Sequence, residues 1–98
     1  MGLLVEYTLK DAADHDAQAA AMETLCAALK ELTDRRFSYQ GFASEDPLRF
    51  YGVLQYDGET GKQQFLDSAA FKTYQTGARE RLAGPPKTTP IRASGSSL

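Results

Sequence analysis

Residues 3 to 10 alternate, with Leu3, Val5, Tyr7 and Leu9 interleaved with Leu4, Glu6, Thr8 and Lys10. A period of two is the mark of a strand with one face buried. After the polar run KDAADHD the period changes. Met22, Leu25, Cys26, Leu29 and Leu32 recur at spacings of three and four, which lines one face of a helix. That helix is expected to begin near Asp14 or Asp16, where a carboxylate can cap free amides, and to stop near TDRR. A strand followed at once by an amphipathic helix limits the chain to folds in which helices cover a sheet.

The remainder continues the pattern. RFSYQGFA (36 to 43) places Phe37 and Tyr39 on one face and Ser38, Gln40 and Phe42 on the other, and LRFYGVLQY (48 to 56) is rich in aromatic and branched residues. EDP between them marks a turn, so the pair reads as a hairpin. A short helical segment is expected from Asp57 to Leu66. A second is expected behind Ser68, with Phe71, Tyr74, Ala78 and Leu82 on one face and Gly84 of GPP as its stop. KTTPIRA supplies a fourth strand, which Pro90 places at an edge. The order is strand, helix, strand, strand, helix, strand, an α+β ferredoxin-like βαββαβ plan with a four-stranded antiparallel sheet. It is expected to form one domain over 1 to 93, with 94 to 98 a flexible tail.

Composition narrows what such a domain does. At 98 residues the chain supports one modest core, and eleven basic against thirteen acidic residues give a formal charge of -2. That balance offers no broad positive field for nucleic acid. The single cysteine, Cys26, lies in the helical pattern, where a buried structural thiol suits a reducing cytoplasm. The N-terminus lacks a signal-peptide pattern, and no apolar run reaches the about 18 residues of a membrane span. A cytoplasmic protein is expected.

Two family patterns can be laid on the open face of such a sheet. The RNA-recognition pattern fits RFYGVLQY at Arg49, Tyr51, Gly52, Leu54 and Tyr56, but Phe50 and Val53 break it. Leu4 also stands where the first strand would present a stacking aromatic. From Phe50 to Tyr74 the chain resembles the antibiotic biosynthesis monooxygenase family, in which strand three is followed by a short helix and then by Ser, two variable residues, Phe and an aromatic. Tyr56 stands for the strand-ending Trp of many members, and SAAFKTY supplies Ser68, Phe71 and Tyr74. The resemblance depends most on SAAFKTY and covers nearly the whole chain in element order.

The resemblance implies a dimeric α+β barrel, a homodimer built through the open sheet face by Leu4, Glu6, Phe42, Tyr51 and Val53. It implies a cavity between the sheet and its own helices, lined by Tyr7, Tyr39, Leu54, Tyr56, Phe65, Phe71 and Tyr74. The chain departs from the family pattern at Phe65, which replaces a helix histidine, and at Leu54, which replaces a glutamate. Phe65 removes the ligand with which haem-degrading relatives hold iron, so neither metal nor cofactor is expected. The lone histidine, His15, reads as a solvated residue of the first helical turn. Glu6 is expected to pair with Arg36, Arg49 or Arg92, and Lys72, Arg79 and Arg81 to form a solvated helix face.

An aromatic lining whose polar handles are hydroxyls suits a small planar ligand of the quinol or polyketide type. Tyr56 and Tyr7 are the candidate catalytic groups of a cofactor-independent monooxygenase acting on such a substrate. The alternative is a non-catalytic dimeric ligand-binding or accessory protein of the same fold, in which the aromatic positions are plain packing. RNA binding is a third reading, and one the charge balance opposes.

Overall fold

The computed structural model describes residues 1 to 95. The last three residues of the tail expected over 94 to 98 lie outside the described residues. Strands β1 (Gly2–Thr8), β2 (Phe37–Ala43), β3 (Arg49–Tyr56) and β4 (Lys87–Ile91) form one antiparallel sheet in the order β2-β3-β1-β4. Helices α1 (His15–Lys30), α2 (Gly58–Asp67) and α3 (Ala69–Arg81) cover one face of it. The ferredoxin-like α+β plan read from the sequence is the plan observed.

Local chemistry sets most of the boundaries. Asp11 opens a single turn of 3-10 helix at Ala12–Asp14 by accepting from the Ala13 amide, and α1 follows from His15. Ser68 ends α2 and begins α3, its hydroxyl accepting from the Phe71 amide at 3.2 Å while it donates to the Phe65 carbonyl at 2.8 Å. The end of α3 differs from expectation. Helix geometry stops at Arg81, and Leu82 turns to extended backbone (φ -84°, ψ 143°). The stop is therefore not Gly84. Leu82 is drawn out of the helix by a bridge to Leu9 and by its own burial, both of which require an extended chain.

Register assigns the two faces. Tyr7 lies opposite Phe50, Val5 opposite Gly52, and Leu3 opposite Leu54, and this set turns toward the helices. Leu4 opposite Val53, and Glu6 opposite Tyr51, turn the other way, with Phe42 beside Tyr51 in the next strand. Tyr7, Phe50 and Leu54 are core residues together with Met22, Leu25 and Leu29 of α1. Phe42 is 43% exposed.

One glycine makes room at the centre of the sheet. A Cβ at Gly52 would collide with the Tyr39 hydroxyl and stand within 3 Å of its ring, so the missing side chain leaves space for that tyrosine to lie across the sheet. Gly52→Ala should therefore displace Tyr39 and cost about 1–3 kcal/mol of stability, read from the midpoint of urea denaturation.

Candidate functional site: an aromatic cavity between the sheet and the third helix

Beneath α3 the helix layer does not close on the sheet. A cavity of about 580 Å3 lies between α3, the end of α2, the strands β1, β3 and β4, and the Gly84 to Pro86 connection. Leu3, Val5 and Leu54 form its floor, Phe65, Phe71 and Tyr74 its helical wall, and Tyr7 its inner end. Gln75, Arg79 and Thr88 supply polar atoms at the lining, and among the described residues no Asp, Glu or His is part of it. Rings dominate the wall. Phe65 and Phe71 lie 4.4 Å apart between centroids, and Tyr7 meets Tyr74 edge-on at 6.0 Å.

The inner end carries a hydrogen-bonded chain. Tyr7 and Tyr39 share a 2.7 Å bond between their hydroxyls. Gln18 of α1, with 0% of its surface exposed, donates from Nε2 to the Tyr74 hydroxyl at 2.6 Å, and its Oε1 accepts from Arg81 Nε at 3.0 Å. Burial above all, and next the nearness of Tyr74, holds the Tyr7 hydroxyl proton well past the ordinary tyrosine range. Burial followed by the Tyr7 neighbour does the same more strongly for Tyr39. Burial raises Tyr74 as well, against the opposing effects of the Gln18 bond and the Arg81 charge. At neutral pH all three are hydrogen-bonding phenols and none is a base.

The expected lining residues are only partly assembled. Tyr7, Leu54, Phe65, Phe71 and Tyr74 line one cavity, whereas Tyr39 lies against α1 and meets the site through its bond to Tyr7. Tyr56 stands apart at the end of β3, in a shallower depression with Arg36, Phe37 and Asp57, and the Lys62 ammonium sits 6.0 Å from its ring centre. Tyr56 and Tyr7, paired in the sequence reading as candidate catalytic groups, thus occupy different depressions. Among the described residues, no three His, Cys, Asp or Glu side chains come together as a metal site.

Three other expectations are corrected. His15 is half-buried rather than solvated, its Nδ1 donating to the Pro47 carbonyl at 2.9 Å and its ring packed 4.8 Å from Phe50, so it ties the start of α1 to the hairpin turn. Glu6 faces Lys87 at 3.8 Å, because β4 rather than an arginine lies across from it. Arg81 leaves the solvated face of α3 and turns inward to Gln18, while Arg79 of the same cluster lines the cavity. Sequence reasoning missed Gln18 altogether. Its signal was present, since residue 18 stands four before Met22 and seven before Leu25, a polar side chain inside an apolar stripe.

Comparison with solved structures follows the same geometry. One crystal structure of an antibiotic biosynthesis monooxygenase superposes with a TM-score of 0.81 at 10% identity, covering 96% of this chain and 98% of that one. A Nitrosomonas europaea protein put forward as an antibiotic biosynthesis monooxygenase gives 0.79 at 18% identity, covering 90% of this chain and 84% of its own. The chain has the fold of these proteins. A Mycobacterium tuberculosis protein shares that fold at a TM-score of 0.76 and 16% identity over 96% of this chain and 97% of its own. No family model matches the sequence, and no curated protein registers as a match.

The buried phenols make stability depend on pH in one direction. Above about pH 10 tyrosines of the unfolded chain ionise while Tyr7, Tyr39 and Tyr74 keep their protons in the fold, so the folded state binds more protons and stability falls as pH rises. Denaturation midpoints measured from about pH 8 to about pH 11 should decline at the alkaline end. Tyr39→Phe should make that decline shallower.

Proposed function

We propose that the protein binds a small planar aromatic substrate of the phenol, quinol or anthrone type in the cavity beneath α3 and oxygenates it without a cofactor. The observation that carries this reading is an apolar cavity of about 580 Å3 whose inner end presents tyrosine hydroxyls held in their neutral form. The names of two structural relatives, both antibiotic biosynthesis monooxygenases, support the reaction class. The rings of Phe65, Phe71 and Tyr74 offer faces and edges to a flat substrate, and the Tyr7 and Tyr74 hydroxyls offer donors to its oxygen.

An electron-rich phenolate or enolate reacts with dioxygen using its own electrons. For an anthrone the ring methylene becomes a carbonyl, one oxygen atom enters the product and the other leaves with the two methylene hydrogens as water. The protein's part is to exclude water, orient the ring and stabilise the oxyanion through neutral phenol donors. Tyr7 takes that role, with Tyr74 beside it, and Tyr56 stands outside the pocket. With no carboxylate or imidazole in the lining among the described residues, the substrate proton passes to water at the mouth, where Arg79 favours the anionic form. The same lack of a base favours the second reading, a binding protein that holds such a ligand without turning it over.

The open sheet face supports a homodimer. Leu4, Phe42, Tyr51 and Val53 form an apolar surface that a second copy covers sheet to sheet, closing a barrel.

Anthrone incubated with the protein in air should yield the quinone with one dioxygen consumed per product, and no quinone should form anaerobically. Tyr7→Phe should lower kcat on the order of a hundredfold. Binding without oxygen uptake supports the accessory reading, and absence of binding refutes both. Light scattering should report a dimer at micromolar concentration and a monomer for Val53→Glu, which buries a charge in the seam. A monomeric wild-type particle contradicts the barrel.

A further inference from the structure

The hydrogen bonds at the inner end of the cavity have a fixed direction. A guanidinium only donates, so the end of Gln18 that faces Arg81 Nε is its carbonyl and the end that faces Tyr74 is its amide NH2. The Tyr74 oxygen therefore accepts, and its own proton cannot go back to Gln18. Tyr7 and Tyr39 share one bond, which uses one hydroxyl proton. Tyr7, Tyr39 and Tyr74 carry three such protons between them. Even if Tyr74 gave its proton to Tyr7, one would remain, and among the described residues no other acceptor lies within hydrogen-bond distance of these oxygens. Arg81 Nη2 is likewise buried without an acceptor, so the whole cluster is short of acceptors.

A buried donor left unmatched is costly, and a ligand atom that accepts from it recovers the loss. With Tyr39 donating to Tyr7, the surplus proton falls on Tyr7 or Tyr74, and both of these residues line the cavity. We infer that Arg81 and Gln18 fix this end as a hydrogen-bond donor site, selecting ligands that place a ring carbonyl or phenolate oxygen there over hydrocarbons of the same shape. The inference rests on the cavity being a ligand site, as proposed above, and adds which ligand atom it recognises. Gln18 is a positioning residue. It touches no ligand and acts by making Tyr74 an acceptor on its inner side.

Gln18→Glu tests this directly, since it keeps the shape and the Arg81 contact but turns an acceptor toward Tyr74, which absorbs the surplus proton. Wild type, Gln18→Glu and the double variant Tyr7→Phe/Tyr74→Phe are titrated with 9-fluorenone and with fluorene, which share a tricyclic skeleton and differ as C=O against CH2. Affinities are corrected for the two compounds' partition from water, and the carbonyl stretch of bound fluorenone is read by infrared spectroscopy. Wild type should prefer the ketone by roughly fivefold and lower its stretching frequency, as one net hydrogen bond implies. Both variants should lose the preference and the frequency shift while retaining fluorene binding, and the double variant, which removes both hydroxyls at the lining, carries the same reading if Gln18→Glu does not fold. Equal binding of the two compounds to wild type, or a preference retained in both variants, overturns the donor assignment and leaves the cavity standing. Failure of wild type to bind either compound overturns both.

Discussion

The contact on which the site depends is a buried amide. Gln18 sits with its surface wholly covered at the N-terminal end of the buried face of α1, and it is tolerated there because both of its ends are matched, one by Arg81 and one by Tyr74. Both partners are on α3. The amide therefore joins the two long helices above the sheet and holds α3 at two points, Tyr74 near its middle and Arg81 at its last residue. The face of α3 that carries Phe71, Tyr74 and Ala78 is left to form the wall of a cavity over β1 and β4.

The sheet beneath is prepared for the same arrangement. Gly52 lets Tyr39 lie flat across β3, and Tyr39 in turn places its hydroxyl against Tyr7. Small floor residues do the rest, since Val5 and Leu3 fill far less space than an aromatic would at those positions. A polar end and an apolar body result from one pattern of large and small residues, in which aromatics stand on the walls and aliphatic side chains on the floor. Such a division suits a flat ligand with one oxygen at its inner edge.

How much of this could be read in advance depended on whether the signal was periodic. The alternation along the first strand, the helical stripe from Met22 to Leu29, the cap at Ser68 and the edge position of Pro90 all report local geometry and appear where expected. Helix α1, however, stops at Lys30, short of TDRR, leaving Leu32 exposed beyond it and Cys26 only half-buried. Gly84 misled because the chain leaves α3 for a tertiary reason, the bridge between Leu82 and Leu9, which no local composition announces. Tyr56 was assigned to the correct face by parity, but parity carries no information about distance along a strand. At the end of β3 it lies past the cavity, where α2 begins. Gln18, Arg81 and His15 escaped for a common reason. Each is a polar residue whose role is set by a partner more than thirty positions away.

The central claim is that the space beneath α3 is a ligand cavity and not loosely drawn packing. The thermal stability of Val5→Phe tests it most directly, because the new ring must enter that space from the floor. The melting temperature should equal or exceed that of wild type, since a ring placed in a real void gains contacts and buries apolar surface. A loss of about 1–3 kcal/mol, the usual cost of overpacking, would show that the space is already full and would contradict the account.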